Sequence, residues 1–244
     1  MGMTIAMKMI RRPKWNRPAM AVWLASLCIG LCFPCMIVAA PPKPDDKIKI
    51  ERAAVVVEVK EFDPAHPPNP APPLEPGESA VCVYRFEVEG DIHYTYRDRP
   101  GAAKPARPGE AAIKSWEATV ESMSINLALK VTIWLPTGAG DRLTAHEHGH
   151  RQIAEAYYAK ADAVARGLAA KIVGKPFVVA GADPQAVIGK QVAAMNLNIC
   201  AGYLNAMNRP CDKAQKVLDE LTHHGTWASP TTEEAVKKAL EPAK

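Results

Sequence analysis

The chain predicts an α+β fold: an antiparallel or mixed sheet first, then a long helix and further helices. Three observations carry this. β-branched and aromatic residues crowd residues 48–135 in short runs. After Pro136-Thr137-Gly138-Ala139-Gly140 the apolar residues switch to helical spacing. The first helix holds His146-Glu147-His148-Gly149-His150, a His-Glu-x-x-His pattern.

Residues 1–40 carry Lys8, Arg11, Arg12, Lys14 and Arg17, no acid, and an apolar run from 19 to 40 that ends Val38-Ala39-Ala40. A basic region, an apolar run and small residues are the parts of a cleavable export signal. The alternative is an uncleaved anchor, because 22 mostly apolar residues just span a bilayer. Either way the rest of the chain is expected to be periplasmic or secreted, with the membrane a partner only in the anchored case. The formal charge of +4 is misleading: taking those five residues from the 30 basic ones leaves 25 against 26 acids. A near-neutral remainder offers no electrostatic case for nucleic acid. In an oxidising compartment Cys200 and Cys211 are expected to pair around Asn208-Arg209-Pro210, leaving Cys82 as a thiol.

Residues 41–78 are broken by Pro67-Pro68, Pro70, Pro72-Pro73 and Pro76, and read as an extended arm with one strand at 48–62. Residues 79–96 read as a hairpin about Glu89-Gly90-Asp91, and 97–109 as a Pro/Gly loop. Two more strands are expected at 116–123 and 127–135. Asp141 is a fitting N-cap for a helix over 142–172, stopped by Gly174-Lys175-Pro176. Its apolar stripe is Ile153, Tyr157, Ala161, Val164, Leu168 and Ile172; carried backwards, it passes through His150 and His146. Asp183-Pro184 opens a second helix over 185–207. A third follows over 212–221, with Gly225 as terminator. A charged surface helix from Thr232-Glu233-Glu234 belongs to a tail at 227–244, so the main domain is expected at 79–226.

Residues four apart share a helix face, so His146 and His150 present two imidazoles to one metal ion. Glu147, beside the first, is placed to move the protons of an activated water. Catalytic zinc takes three protein ligands and keeps one position open. The pattern with a third His six residues on is excluded, because that place is Ala156. Glu155 is turned off the face, and Asp162 lies roughly 18 Å further along the helix. The third ligand must come from a segment that returns, and the donor cluster downstream is Asp219, Glu220, His223 and His224.

Two motifs in the same order resemble a bacterial family of unknown function taken to be secreted zinc-dependent proteases. The first is Ala145-His146-Glu147-His148-Gly149-His150 with Ile153-Ala154. The second has the family form Tyr-Asp-x-x-Thr-x-His-Gly; Asp219, Thr222, His224 and Gly225 match it, while Leu218 replaces the Tyr. Trp134-Leu135-Pro136 before the helix is also similar. The resemblance spans residues 80–226 and implies a zincin-like fold with His146, His150 and His224 on the metal. The change at Leu218 removes any phenol donor there.

The expectation is then a zinc-dependent peptidase acting on peptide or protein substrates, with Zn2+ as cofactor and Glu147 as general base. Asp219 is a candidate for holding a ligand His by a hydrogen bond. His223, Tyr157 and Tyr158 are candidates for the oxyanion by proximity in sequence. The rival readings are a non-catalytic zinc-binding envelope protein and an interaction protein with an accidental motif.

Overall fold

The computed structural model describes residues 44–74, 77–100 and 113–241. The expected export signal at 1–40, most of the 97–109 loop and residues 242–244 lie outside them. Among the described residues no helix is long and apolar enough to cross a membrane.

The fold is α+β, and one strand organises it. β4, Lys114–Pro136, is 23 residues long and runs through the whole sheet. On one side it pairs with β3, Val81–Asp98, antiparallel over 116–134. On the other side three short strands follow one another along it. β5, Pro176–Gly181, is antiparallel at 114–119; β1, Ile48–Arg52, and β2, Val56–Phe62, are parallel at 123–127 and 130–136. The sheet is mixed for this reason.

The expected pair of strands is one strand, since residues 124–126 pair with β1 and β3 without a break, and it carries a bulge. His93 pairs with Ser122 and Tyr94 with Val120, leaving Glu121 as an extra residue. Buried positions are even before it (Ala118, Val120) and odd after it (Met123, Ile125 and on to Leu135). The bulge keeps both sets on one face, so a broken alternation marks no turn. The expected hairpin at Glu89-Gly90-Asp91 is likewise absent, and β3 runs straight through. Gly90 is small there because the Asn196 side chain lies where a Cβ would project, and its Nδ2 donates to Gly90 O at 2.8 Å. The proline-rich arm is no separate arm either, since β1 and β2 are sheet strands and Ile48 and Phe62 are buried.

The helices cover one face. α1 is Asp141–Tyr158 and α2 is Ala161–Ala169, where one helix was expected. The Arg52 guanidinium donates to the carbonyls of Tyr158 and Ala159, both at 3.4 Å, so the break is capped from β1. Ile153 and Ala161 are buried as expected, while Tyr158, Ala165 and Ala169 are buried one residue beyond the expected Tyr157, Val164 and Leu168, which are half-buried. Gly140, not Asp141, is the N-cap. α3, Pro184–Thr222, is one 39-residue helix with Pro210 inside it, where two helices were expected. Met207, Cys211, Ala214 and Leu218 are buried on either side of Pro210, and this packing carries the helix across the lost bond. α4, Thr232–Ala239, has a complete capping box at Thr231 and Glu234. It is no mere surface tail: Ala235, Val236 and Ala239 are buried. Val236 and Thr232 lie against Gly149 of α1, so that glycine admits the close approach of α4.

Continuity of α3 also removes the expected disulfide. Cys200 and Cys211 are both free. Eleven residues apart on one helix, they are separated by about 16 Å of rise, far beyond disulfide reach.

Candidate metal centre

The first residues of the site come from α1, where His146 and Glu147 are 2% and 3% exposed. The last turn of α3 crosses them. Asp219 Oδ1 lies 3.3 Å from His146 Nε2 and 3.0 Å from His150 Nε2, and the two Nε2 atoms are 3.0 Å apart. Three donor atoms thus form a nearly equilateral triangle.

The far nitrogens decide what that triangle is. Thr222 Oγ1 donates to Leu218 O at 2.7 Å, so it accepts from His146 Nδ1–H at 3.0 Å. Gln215 Nε2 donates to His150 O at 3.0 Å, which leaves its Oε1 to accept from His150 Nδ1–H at 2.6 Å. Both imidazoles therefore hold their neutral-form proton on Nδ1, and both Nε2 lone pairs face Asp219. Two lone pairs and a carboxylate at these distances repel unless a cation is shared among them. A proton is one such cation. Burial pulls His150 down, but the hydrogen bond and charge of Asp219 outweigh it and raise His150 above its ordinary value. Burial likewise pushes the Asp219 carboxyl up, and the two histidines outweigh that and hold it well below the usual carboxylate range. His146 is lowered, chiefly by burial.

A metal ion is the other. Tetrahedral zinc with donors at about 2.0–2.1 Å separates those donors by about 3.3 Å, which the 3.0–3.3 Å triangle matches. Two imidazoles with their far nitrogens hydrogen-bonded, beside a carboxylate, are a donor set that a divalent metal such as zinc accepts. The residues could hold a metal ion of this size.

Residues 223–225 close the site. α3 ends in three left-handed residues, His223, His224 and Gly225, at φ 47°, 53° and 76°. Gly225 must be glycine on two counts: its φ, and a Cβ there would lie 2.8 Å from His146 Cβ. Arg142 Nη1 holds the turn by donating to Thr226 O at 2.8 Å. The turn carries His224 back, with Nδ1 3.6 Å from Asp219 Oδ1. Donor atoms of His146, Asp219 and His224 all lie within 4.8 Å of one another. His223 turns away and stacks on Trp227 with ring centroids 3.7 Å apart.

No family model matches the chain, and no curated protein or solved structure matches it significantly. The resemblance noted above therefore stands on its two motifs. Their residues meet in space, and most of their positions acquire a physical task.

Glu147 lies against β3, close enough to His150 and Asp219 for both charges to act on its carboxyl. The backbone N–H of Cys82 donates to its carboxylate, while Oε2 is buried with no hydrogen-bond partner among the described residues. Burial pushes this carboxyl up to about 7. The Tyr158 hydroxyl donates within the core to the carbonyls of Ala53 and Leu127, each 3.0 Å away, so it is not an oxyanion donor. Tyr157 is half-buried beneath the Lys160 ammonium. Leu218 packs under Gly149. Gln215, and the bond made by Thr222, went unread in the sequence. A signal existed: Cys211, Gln215, Leu218 and Thr222 share one helical stripe, and a glutamine on it must find a buried partner.

Proposed function

We propose that the protein is a periplasmic or secreted zinc-dependent peptidase of zincin-like build. The observation that carries the reading is the pair of Nε2 lone pairs, held toward Asp219 by Thr222 and Gln215, on the helix that also buries Glu147. Zinc, when bound, supplies Lewis acidity and makes a water acidic enough to ionise near neutral pH. His146 and His150 would hold it with a donor from the end of α3. Glu147 takes the proton of the attacking water and returns it to the leaving amine. A carboxyl at about 7 suits both halves of that task. The substrate class is a peptide or protein. Export rests on the signal-like residues 1–40.

A second reading is favoured by one observation: Asp219 and His224 with His146 and His150 offer four donors, enough to close a non-catalytic zinc site. Glu147 argues against it, since a closed site has no task for a buried carboxylate with one oxygen left unpaired. The test is Glu147→Ala with zinc content and peptide-library hydrolysis measured in parallel. Zinc retained with hydrolysis lost supports the peptidase. Unchanged hydrolysis in the variant sinks the mechanism, and a wild type without stoichiometric zinc sinks both zinc readings in favour of an accidental motif.

A further inference from the structure

We infer that Asp219, rather than His224, is the third protein donor of the metal site, and that His224 is a detachable fourth donor at its mouth. This deepens the zinc reading above and rests on it. Asp219 Oδ1 completes the triangle with both Nε2 atoms at 3.0 and 3.3 Å. All three side chains stand on helices, and each histidine is tied down from behind by Thr222 or Gln215. His224 differs on every count. It lies past the end of α3, its side chain is 60% exposed against 26% for Asp219, and it reaches Asp219 only at 3.6 Å. Among the described residues no hydrogen bond holds its other nitrogen.

The backbone beneath His224 is braced. Gly225 lies against His146, Thr226 O accepts from Arg142, and the Thr226 hydroxyl donates to His223 O at 2.7 Å. Movement at the mouth therefore needs only rotation of the His224 side chain. Turned in, it gives the site four protein donors and shuts it. Turned out, it leaves one position for water or a peptide carbonyl. The chain thus carries its own competitor for the substrate position.

The test uses the purified protein loaded with zinc or with Co(II). Zinc affinity is read by competition with a chromophoric chelator, and the donor set by visible Co(II) absorption. Asp219→Asn should weaken zinc binding by more than the ~10–100-fold that an outer hydrogen-bond partner costs, and Asp219→Glu should recover part of it. His224→Ala should keep one zinc per chain, weaken it by less than about tenfold, and shift the Co(II) bands as a nitrogen donor gives way to water. Thermal unfolding of the metal-free variants checks that each is folded; if Asp219→Asn is not, the Asp219→Glu affinity decides. Loss of stoichiometric zinc in His224→Ala, or wild-type affinity in Asp219→Asn, overturns the assignment. A wild type that binds no zinc overturns it together with the zinc reading. Zinc binding as expected without any hydrolysis overturns the peptidase alone and leaves the donor assignment standing.

Discussion

Glu147→Gln should make the metal-free protein more stable at pH 8 and nearly unchanged at pH 5. Glu147 is 3% exposed, and its carboxyl is raised by burial from 4.5 to about 7. In the unfolded chain it ionises at its ordinary value, so between these two pH values the native state binds more protons. Stability then falls as pH rises through that window, and the cost is complete above it. A shift of roughly 2.5 units corresponds to about 3 kcal/mol at pH 8 and to less than about 1 kcal/mol at pH 5. Glutamine is isosteric, keeps an oxygen for the Cys82 N–H, and carries no charge. The assay is urea unfolding with EDTA present, wild type against variant, at both pH values. A stability gap that does not change with pH, or a variant less stable at pH 8, would refute the claim that Glu147 is ionised at a cost inside the fold.

Gln215→Leu should leave the fold intact and weaken zinc binding by roughly 10–100-fold, because His150 loses the acceptor that orients its ring; chelator competition reads this directly. Gly149→Ala should destabilise by about 1–3 kcal/mol despite a better helix propensity, since the new methyl would lie 2.7 Å from Thr232 Cγ2 and 3.1 Å from Leu218 Cδ2. A Gly149→Ala variant at least as stable as wild type in urea would mean that α4 does not pack there. Pro210→Ala should stabilise by up to about 3 kcal/mol, as the restored N–H faces the carbonyl one turn back in a helix already continuous through that point; a fall in the urea midpoint would count against one unbroken α3.

Much of the site was legible in one stretch. His146, Glu147 and His150 are local: three residues within five positions, and a helix period puts the histidines on one face. The end of α3 was legible as a place, because Asp219, Thr222, His224 and Gly225 stand together. Which of them does what was not. That depends on how the last turn of one helix crosses another, 65–76 residues away along the chain. Gln215 illustrates the limit: in sequence it is one polar residue on a helix, and its task appears only when His150 lies opposite.

The fold was misread wherever a local signal had a non-local cause. Gly90 and Pro210 are breakers by propensity, and neither breaks anything here. Gly90 yields space to Asn196, and packing on both sides holds the helix through Pro210. The break that does occur, at Ala159-Lys160, has no breaker residue at all, and Arg52 of β1 caps the carbonyls there.

The sequence by itself determined the order of strands before helices and the placing of His146 and His150 on one helix face beside Glu147, because each is written in spacing and composition over a few turns. Only the tertiary structure decided that β4 is one bulged strand, that α3 is one helix carrying two unpaired cysteines, and that Asp219 faces both Nε2 atoms. Those outcomes are set by contacts between segments far apart in the chain, whose energies outweigh the roughly 1–3 kcal/mol that local propensities contribute.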